Sequence, residues 1–251
     1  MIQKYKKIFS CIDNTSLGGD DTQERIDNLC SSSLQMIDSE RGISHVAAVC
    51  VYPVFVRQAK ARLEGSGIKV ASVAGAFPSG QSPIEVKIQE VKYALEEGAD
   101  EIDMVISRGA FLEGKYTQVQ SEVEAIKNVC GDKTLKVILE TGELQSAENI
   151  YKASMLAMEA GADFIKTSTG KIPVGATIES AQTMLKAISE FHKNSKKLIG
   201  FKAAGGISTP EEALLYFDEA VKVYGLENIT NQKFRIGASR LTQKLYGFLT
   251  L

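Results

Sequence analysis

Several short apolar runs in this chain carry charges that a buried strand should not tolerate. Asp103 lies in Glu-Ile-Asp-Met-Val-Ile, Lys136 and Glu140 in Leu-Lys-Val-Ile-Leu-Glu, Lys166 in Phe-Ile-Lys-Thr-Ser, and Lys202 in Gly-Phe-Lys-Ala-Ala-Gly. Strands of an all-parallel sheet are covered on both faces and read as nearly continuous apolar runs, so each charge carries a desolvation cost. Taken singly, each has an ordinary explanation as a strand end that reaches water or as half of a structural ion pair. Taken together they predict lysines and carboxylates converging from neighbouring strands on one small space. Like-charge repulsion and burial there lower the pKa of at least one lysine. A neutral lysine amine attacks a carbonyl carbon and forms an iminium ion, which draws electrons from the adjacent carbon and lets a carbon–carbon bond break or form without a metal. These considerations leave open whether Lys166 or Lys202 is the nucleophile. The only histidines, His45 and His192, lack ligand spacing with each other or with cysteine and read as structural, so no metal is expected.

Three glycine-bearing segments follow charged runs: Thr-Ser-Thr-Gly-Lys at 167–171, Ala-Ala-Gly-Gly at 203–206, and Gly-Ala-Ser-Arg at 237–240. Glycine lets backbone N–H groups approach an anion closely, and a following helix start adds favourable partial charge. Each segment alone also serves as a tight turn. Their succession, with Ser, Thr, Lys or Arg in every one, points to a phosphorylated substrate.

The elements that must hold these groups alternate. Eight strand candidates run over Ile8–Asp13, His45–Tyr52, Val70–Gly75, Glu101–Ile106, Leu135–Glu140, Phe164–Ser168, Ile199–Ala203 and Phe234–Ser239. Between them, Pro83–Glu97, Tyr116–Val129, Ala147–Ala160, Thr177–Lys193 and Pro210–Tyr224 space apolar residues as helices do. Pro210 after Ser208-Thr209 has the form of a capped helix start. Gly-Ala-Asp at 98–100 recurs at 161–163, each time between a helix and a strand. That repeat speaks for architecture rather than chemistry, because glycine there supplies a left-handed helix terminus. The pattern predicts an α/β fold, a (β/α)₈ TIM barrel in which residues 1–251 form a single domain, with chemistry at the carboxyl ends of the strands. A doubly wound open sheet is the alternative, disfavoured because no GxGxxG opens the first βα unit.

Bulk properties agree. The chain has 251 residues, 44% of them hydrophobic, enough for one sizeable core. With 29 basic and 31 acidic residues there is no basic field for nucleic acid or anionic lipid, and no apolar run approaches membrane-spanning length. Cys11, Cys30, Cys50 and Cys130 form no CxxC pair and the polar start is no signal peptide, so a reduced, cytoplasmic protein is expected.

Lys-Thr-Ser-Thr-Gly-Lys at 166–171 and Gly-Phe-Lys-Ala-Ala-Gly-Gly at 200–206 resemble the deoxyribose-phosphate aldolase family. The likeness runs almost end to end, through Ile-Asp-Asn-Thr at 12–15, Ala-Val-Cys-Val-Tyr-Pro at 48–53, Gly-Ala-Asp-Glu-Ile-Asp-Met-Val at 98–105, Lys-Val-Ile-Leu-Glu-Thr-Gly at 136–142 and Arg-Ile-Gly-Ala-Ser at 235–239. The resemblance implies cofactor-free, reversible cleavage of 2-deoxy-D-ribose 5-phosphate to D-glyceraldehyde 3-phosphate and acetaldehyde, in deoxynucleoside catabolism, by a homodimer. It also chooses between the lysines. Lys166 matches the Schiff-base residue, Lys202 the lysine that keeps the nucleophile's pKa low, and Asp103 the proton-shuttling carboxylate, with Lys136 in the same network. Thr169, Lys171, Gly205, Gly206, Gly237 and Ser239 match positions that contact substrate and phosphate, and Asp13, Thr15 and Cys50 match the pocket wall. Cys50 also reads as a small buried hydrophobe. The chain departs from the family at Ala203, where many members have proline, at Arg240, where many have serine, and in ending at Leu251 without a tyrosine-terminated tail, for which slower turnover is expected.

Two other functions compete. Keto-acid aldolases and transaldolases share the Schiff base but lack a paired lysine like Lys202. A non-catalytic phosphosugar-binding protein would have little reason to retain the charges at 103, 166 and 202.

Overall fold

The computed structural model describes residues 1–251. Eight parallel strands close into a barrel in sequence order: β1 (Ile12–Thr15), β2 (Ala48–Val51), β3 (Lys69–Ala74), β4 (Glu101–Val105), β5 (Thr134–Ile138), β6 (Phe164–Lys166), β7 (Gly200–Ala204) and β8 (Phe234–Ala238). Ten helices accompany them: α1 (Ile2–Phe9), α2 (Gln23–Gln35), α3 (Val56–Arg62), α4 (Ile84–Glu96), α5 (Arg108–Leu112), α6 (Tyr116–Cys130), α7 (Ala147–Glu159), α8 (Ile178–Ser195), α9 (Pro210–Tyr224) and α10 (Leu241–Thr250). The expected (β/α)₈ barrel is the fold found, and no helix is long and apolar enough to cross a membrane.

Period-two alternation sorts the strand residues. Ile102 and Met104, Leu135 and Val137, Phe201 and Ala203, and Phe234 and Ile236 join the apolar layer against the helices. Their neighbours Glu101, Asp103, Lys136, Lys202 and Arg235 are also buried, but they pair with one another in the barrel interior. The charges sit in the strands because the barrel gives them a second inside.

The first expected strand is corrected at its start. Ile8 and Phe9 end α1, whose buried face is Tyr5, Ile8 and Phe9. That i, i+3, i+4 face packs on α10, with the Tyr5 and Phe248 rings 4.8 Å apart. Helices α1, α2, α3, α5 and α10 lie outside the five helical segments that apolar spacing marks, and α2 shows why: only Ile26, Cys30 and Ser33 of its 13 residues are buried, while the Thr22 side chain caps its start. Pro210 begins α9 behind a capping box of Thr209 and Glu212, as expected.

The Gly-Ala-Asp repeat has a structural explanation. Asp100 accepts from the Val70 N–H and pairs with Lys60, while Asp163 accepts from the Leu135 N–H and pairs with Lys127. Each aspartate thus fastens the entry of a neighbouring strand to the helix outside it. The charge-bearing strands are thereby held in register from below.

Candidate active site

The paired charges fill the upper interior of the barrel. Asp103 on β4 is the hub: its Oδ2 accepts from Lys166 Nζ at 2.8 Å and from Lys202 Nζ at 2.7 Å, and its Oδ1 accepts from Lys136 Nζ at 2.8 Å. Lys166 and Lys202 are register partners on β6 and β7, as are Asp103 and Lys136 on β4 and β5. Lys202 also donates to Asp13 on β1. Below, Arg235 of β8 reaches Asp13 at 2.6 Å and Glu101 at 2.8 Å, and Lys136 lies 2.5 Å from Glu101. Four cations, Lys136, Lys166, Lys202 and Arg235, therefore share three carboxylates, Asp13, Glu101 and Asp103.

That surplus of one positive charge does not fall evenly. Burial holds the pKa of Lys166 below the ordinary lysine value; the Lys202 ammonium acts in the same direction, and the single contact to Asp103 only partly offsets them. Burial also opposes charge on Lys202, but Asp103 and Asp13 outweigh it and raise its pKa. Lys136 is raised for the same reason, by Asp103, Glu101 and Asp13 against burial. Burial pushes the carboxyl of Asp103 upward, yet the three lysines overcome it and hold it well below the carboxylate range. Of the three lysines only Lys166 has its pKa shifted downward, and burial rather than crowding leads among the causes.

Lys166 is also the one lysine of the three with surface on a cavity. This cavity, about 370 Å³, opens at the carboxyl ends of the strands and is lined by Thr15 to Gly18, Asp21, Arg25, Lys166, Thr169 to Lys171, Ala204 to Ser208, and Gly237 to Arg240. Two glycines allow close approaches beside this cavity. Gly205 has φ +91°, and a Cβ there would stand 2.8 Å from the Gly175 Cα. A Cβ on Gly237 would stand 3.1 Å from Lys202 Cε, so its absence makes room for that side chain. The Thr167 hydroxyl donates to the Ala204 carbonyl and accepts the Ala204 N–H, both at 2.9 Å, tying the segment after Lys166 to the end of the Lys202 strand.

The sequence-derived candidates divide into two layers. Thr15, Lys166, Thr169, Lys171, Gly205, Gly206, Gly237 and Ser239 line the cavity. Asp13, Cys50, Asp103, Lys136 and Lys202 lie fully buried and outside that lining. Cys50, expected in the wall, packs with Leu17, Ala48, Ala71 and Val73, and burial pushes its thiol up to about 11, which makes it a poor thiolate. Glu140, grouped with the converging charges in the sequence, instead accepts from Thr169 and stands 4.0 Å from Arg108. Sequence reasoning missed Glu101 and Arg235 as members of the network, and Arg25 and Asp21 at the mouth. Glu101 was findable, since it is two residues from Asp103 on a strand and must share its face.

Comparison with known proteins decides the family. The model of the DeoC/LacD family aldolases matches residues 8–233. This chain belongs to that aldolase family. The aldolase is 43% identical over 246 residues to the deoxyribose-phosphate aldolase of Homo sapiens and likewise to that of Bos taurus, covering 94% of this chain and 77% of each relative. Among solved structures it resembles QR15, an aldolase, at 32% identity and a TM-score of 0.78, covering 97% of this chain and 96% of the other. It also resembles the tetrameric deoxyribose phosphate aldolase of Aeropyrum pernix, at 28% identity and a TM-score of 0.75, covering 98% and 96%.

Proposed function

We propose that this aldolase reversibly cleaves 2-deoxy-D-ribose 5-phosphate to D-glyceraldehyde 3-phosphate and acetaldehyde through a Schiff base on Lys166. The observation that carries the reading is geometric: Lys166 alone of the three clustered lysines reaches the cavity and has a single carboxylate partner, whereas Lys202 and Lys136 are buried behind it with two or more. Substrate identity rests on the named relatives and on a cavity whose glycine-bearing loops, with Lys171, Ser239 and Arg240, suit a phosphate.

In this mechanism the neutral amine attacks C1 of the open-chain sugar, and loss of water from the carbinolamine leaves an iminium ion. The C3 hydroxyl then gives up its proton to the water released in that step, its oxygen becomes the carbonyl of the departing phosphoaldehyde, and the C2–C3 electron pair moves into the iminium to form an enamine. Protonation at C2 and hydrolysis release acetaldehyde and restore the amine. Lys202 is the proton donor, kept charged by Asp103 and Asp13. Asp103 receives Lys166 and Lys202 on one oxygen and so bridges nucleophile and donor. Lys136 and Arg235 hold Asp103 and Asp13 ionised from below. Such a phosphosugar arises in deoxynucleoside breakdown, the catabolic setting of this reading, which requires no cofactor.

The test is reduction with borohydride in the presence of acetaldehyde, followed by peptide mass mapping. The adduct is expected on the peptide carrying Lys166, and Lys166→Leu is expected to abolish both adduct and cleavage while the thermal unfolding transition persists. Label on no lysine, or full activity in Lys166→Leu, would refute the mechanism.

A further inference from the structure

The carboxylate of Glu140 takes no part in the reaction above, although the side chain is fully buried. Its backbone is left-handed, with φ 57° and ψ 60°. Leu139 N–H donates to the Lys166 carbonyl and Thr141 N–H to the Thr167 carbonyl, both at 2.9 Å. Two steps along one segment thus meet one step along the other, and Glu140 is the extra residue of a bulge beside the Lys166 strand. Glycine is the residue such a conformation favours, so the side chain has a cost that some interaction must offset.

The interaction is with Thr169. Glu140 accepts from the Thr169 N–H at 3.1 Å and, through its second oxygen, from the Thr169 hydroxyl. The Thr169 oxygen in turn accepts the Lys171 N–H at 3.1 Å. A hydroxyl has one hydrogen and two lone pairs. Here the hydrogen is committed to Glu140 and one lone pair to Lys171, leaving one lone pair on a residue that lines the cavity beside Lys166. Thr169 can therefore receive a hydrogen bond from a ligand but has none to give.

We propose that Glu140 is a positioning residue that fixes the Thr169 hydroxyl as an acceptor, so that this wall of the cavity selects a substrate presenting a hydroxyl group at C4. The assignment rests on the proposed deoxyribose-phosphate reaction. Of the two chain hydroxyls of that substrate, the C3 oxygen becomes a carbonyl and needs a donor in the synthetic direction, which Thr169 cannot be. The C4 hydroxyl keeps its hydrogen throughout and suits an acceptor.

The experiment runs the reaction in synthesis, with acetaldehyde as donor and either glyceraldehyde 3-phosphate or 3-oxopropyl phosphate as acceptor; the second lacks only the hydroxyl beside the aldehyde. Wild type is expected to prefer the hydroxylated acceptor. In Glu140→Gln an amide N–H faces the Thr169 oxygen and turns the threonine hydrogen toward the cavity. That preference should then fall about tenfold, the worth of one hydrogen bond, and fall through KM of the phosphoaldehyde rather than kcat. Thr169→Val, close in shape, should lose the same preference, and the double variant should lose no more. It also keeps the proposal testable should Glu140→Gln fail to fold. Equal losses on both acceptors, or an unchanged preference in either variant, would overturn the proposal. A wild type inactive on both acceptors and giving no Lys166 adduct would overturn the underlying activity and this assignment with it, so the wild-type arm alone separates the two failures.

Discussion

Replacing Lys202 by methionine should raise the pKa of Lys166 and slow Schiff-base formation while leaving the fold standing. Both amines contact the same oxygen of Asp103, at 2.8 and 2.7 Å, so they lie no more than about 5.5 Å apart. At an effective dielectric constant of about 20, two like charges at that separation repel by about 3 kcal/mol. Both side chains are buried, so water screens this little. Removing Lys202 also leaves Asp103 to the remaining lysines, which adds to the effect in the same direction. A higher pKa means less neutral amine: below the alkaline rise of the rate, Schiff-base formation should fall about a hundredfold, the ratio that about 3 kcal/mol amounts to, and the rise itself should move to higher pH. The assay is the pH profile of the borohydride-trapping rate with acetaldehyde, followed by mass. Methionine fills the space of the lysine stem, and Asp13 retains Arg235 while Asp103 retains Lys136, so the loss of stability should stay near the lower end of the roughly 3–5 kcal/mol expected for a broken buried pair. A folded Lys202→Met protein with the wild-type trapping profile would refute the electrostatic account, because Lys202 is the cation that shares the nucleophile's carboxylate oxygen.

Further outcomes follow from the same network. Arg235→Met strips Asp13 of one partner and leaves Glu101 Oε1 unpaired, so chemical denaturation should register a loss of about 3–5 kcal/mol. Gly237→Ala places a methyl group 3.1 Å from Lys202 Cε and from the Ala204 Cβ, and should lower kcat about tenfold or more with little change in melting temperature. The carboxyls of Asp13, Glu101 and Asp103 are all held below their ordinary values by the surrounding cations, against burial. Their contribution to stability is therefore full above about pH 4, where unfolded carboxylates ionise, and is lost as the pH falls through the folded values; an acid unfolding curve that is flat from pH 5 to pH 2 would contradict this.

Much of the molecule is legible in its sequence. Strand and helix periodicity is a local property, and the alternation of charged with apolar residues in the runs around Asp103, Lys136, Lys166 and Lys202 survives in the barrel as two faces of one strand. The glycine segments after β6, β7 and β8 could be placed at the carboxyl ends of their strands, where the cavity opens. The polar helices α2 and α3 were harder, because a helix that buries one narrow stripe leaves little apolar signal in its sequence.

What the chain alone determined is which groups are available and that they must meet; what only the tertiary structure decided is how they pair. The pKa values of Lys166 and Lys202 shift in opposite directions because Asp13 and Asp103, 189 and 99 residues away in sequence, both bond Lys202, while Lys166 has Asp103 alone. Glu140 belongs by sequence to the same charged set, but a bulge turns it toward Thr169 and out of the lysine network. Electrostatic interaction depends on distance through space in a medium of low polarity, and barrel closure sets those distances by bringing the first strand against the last.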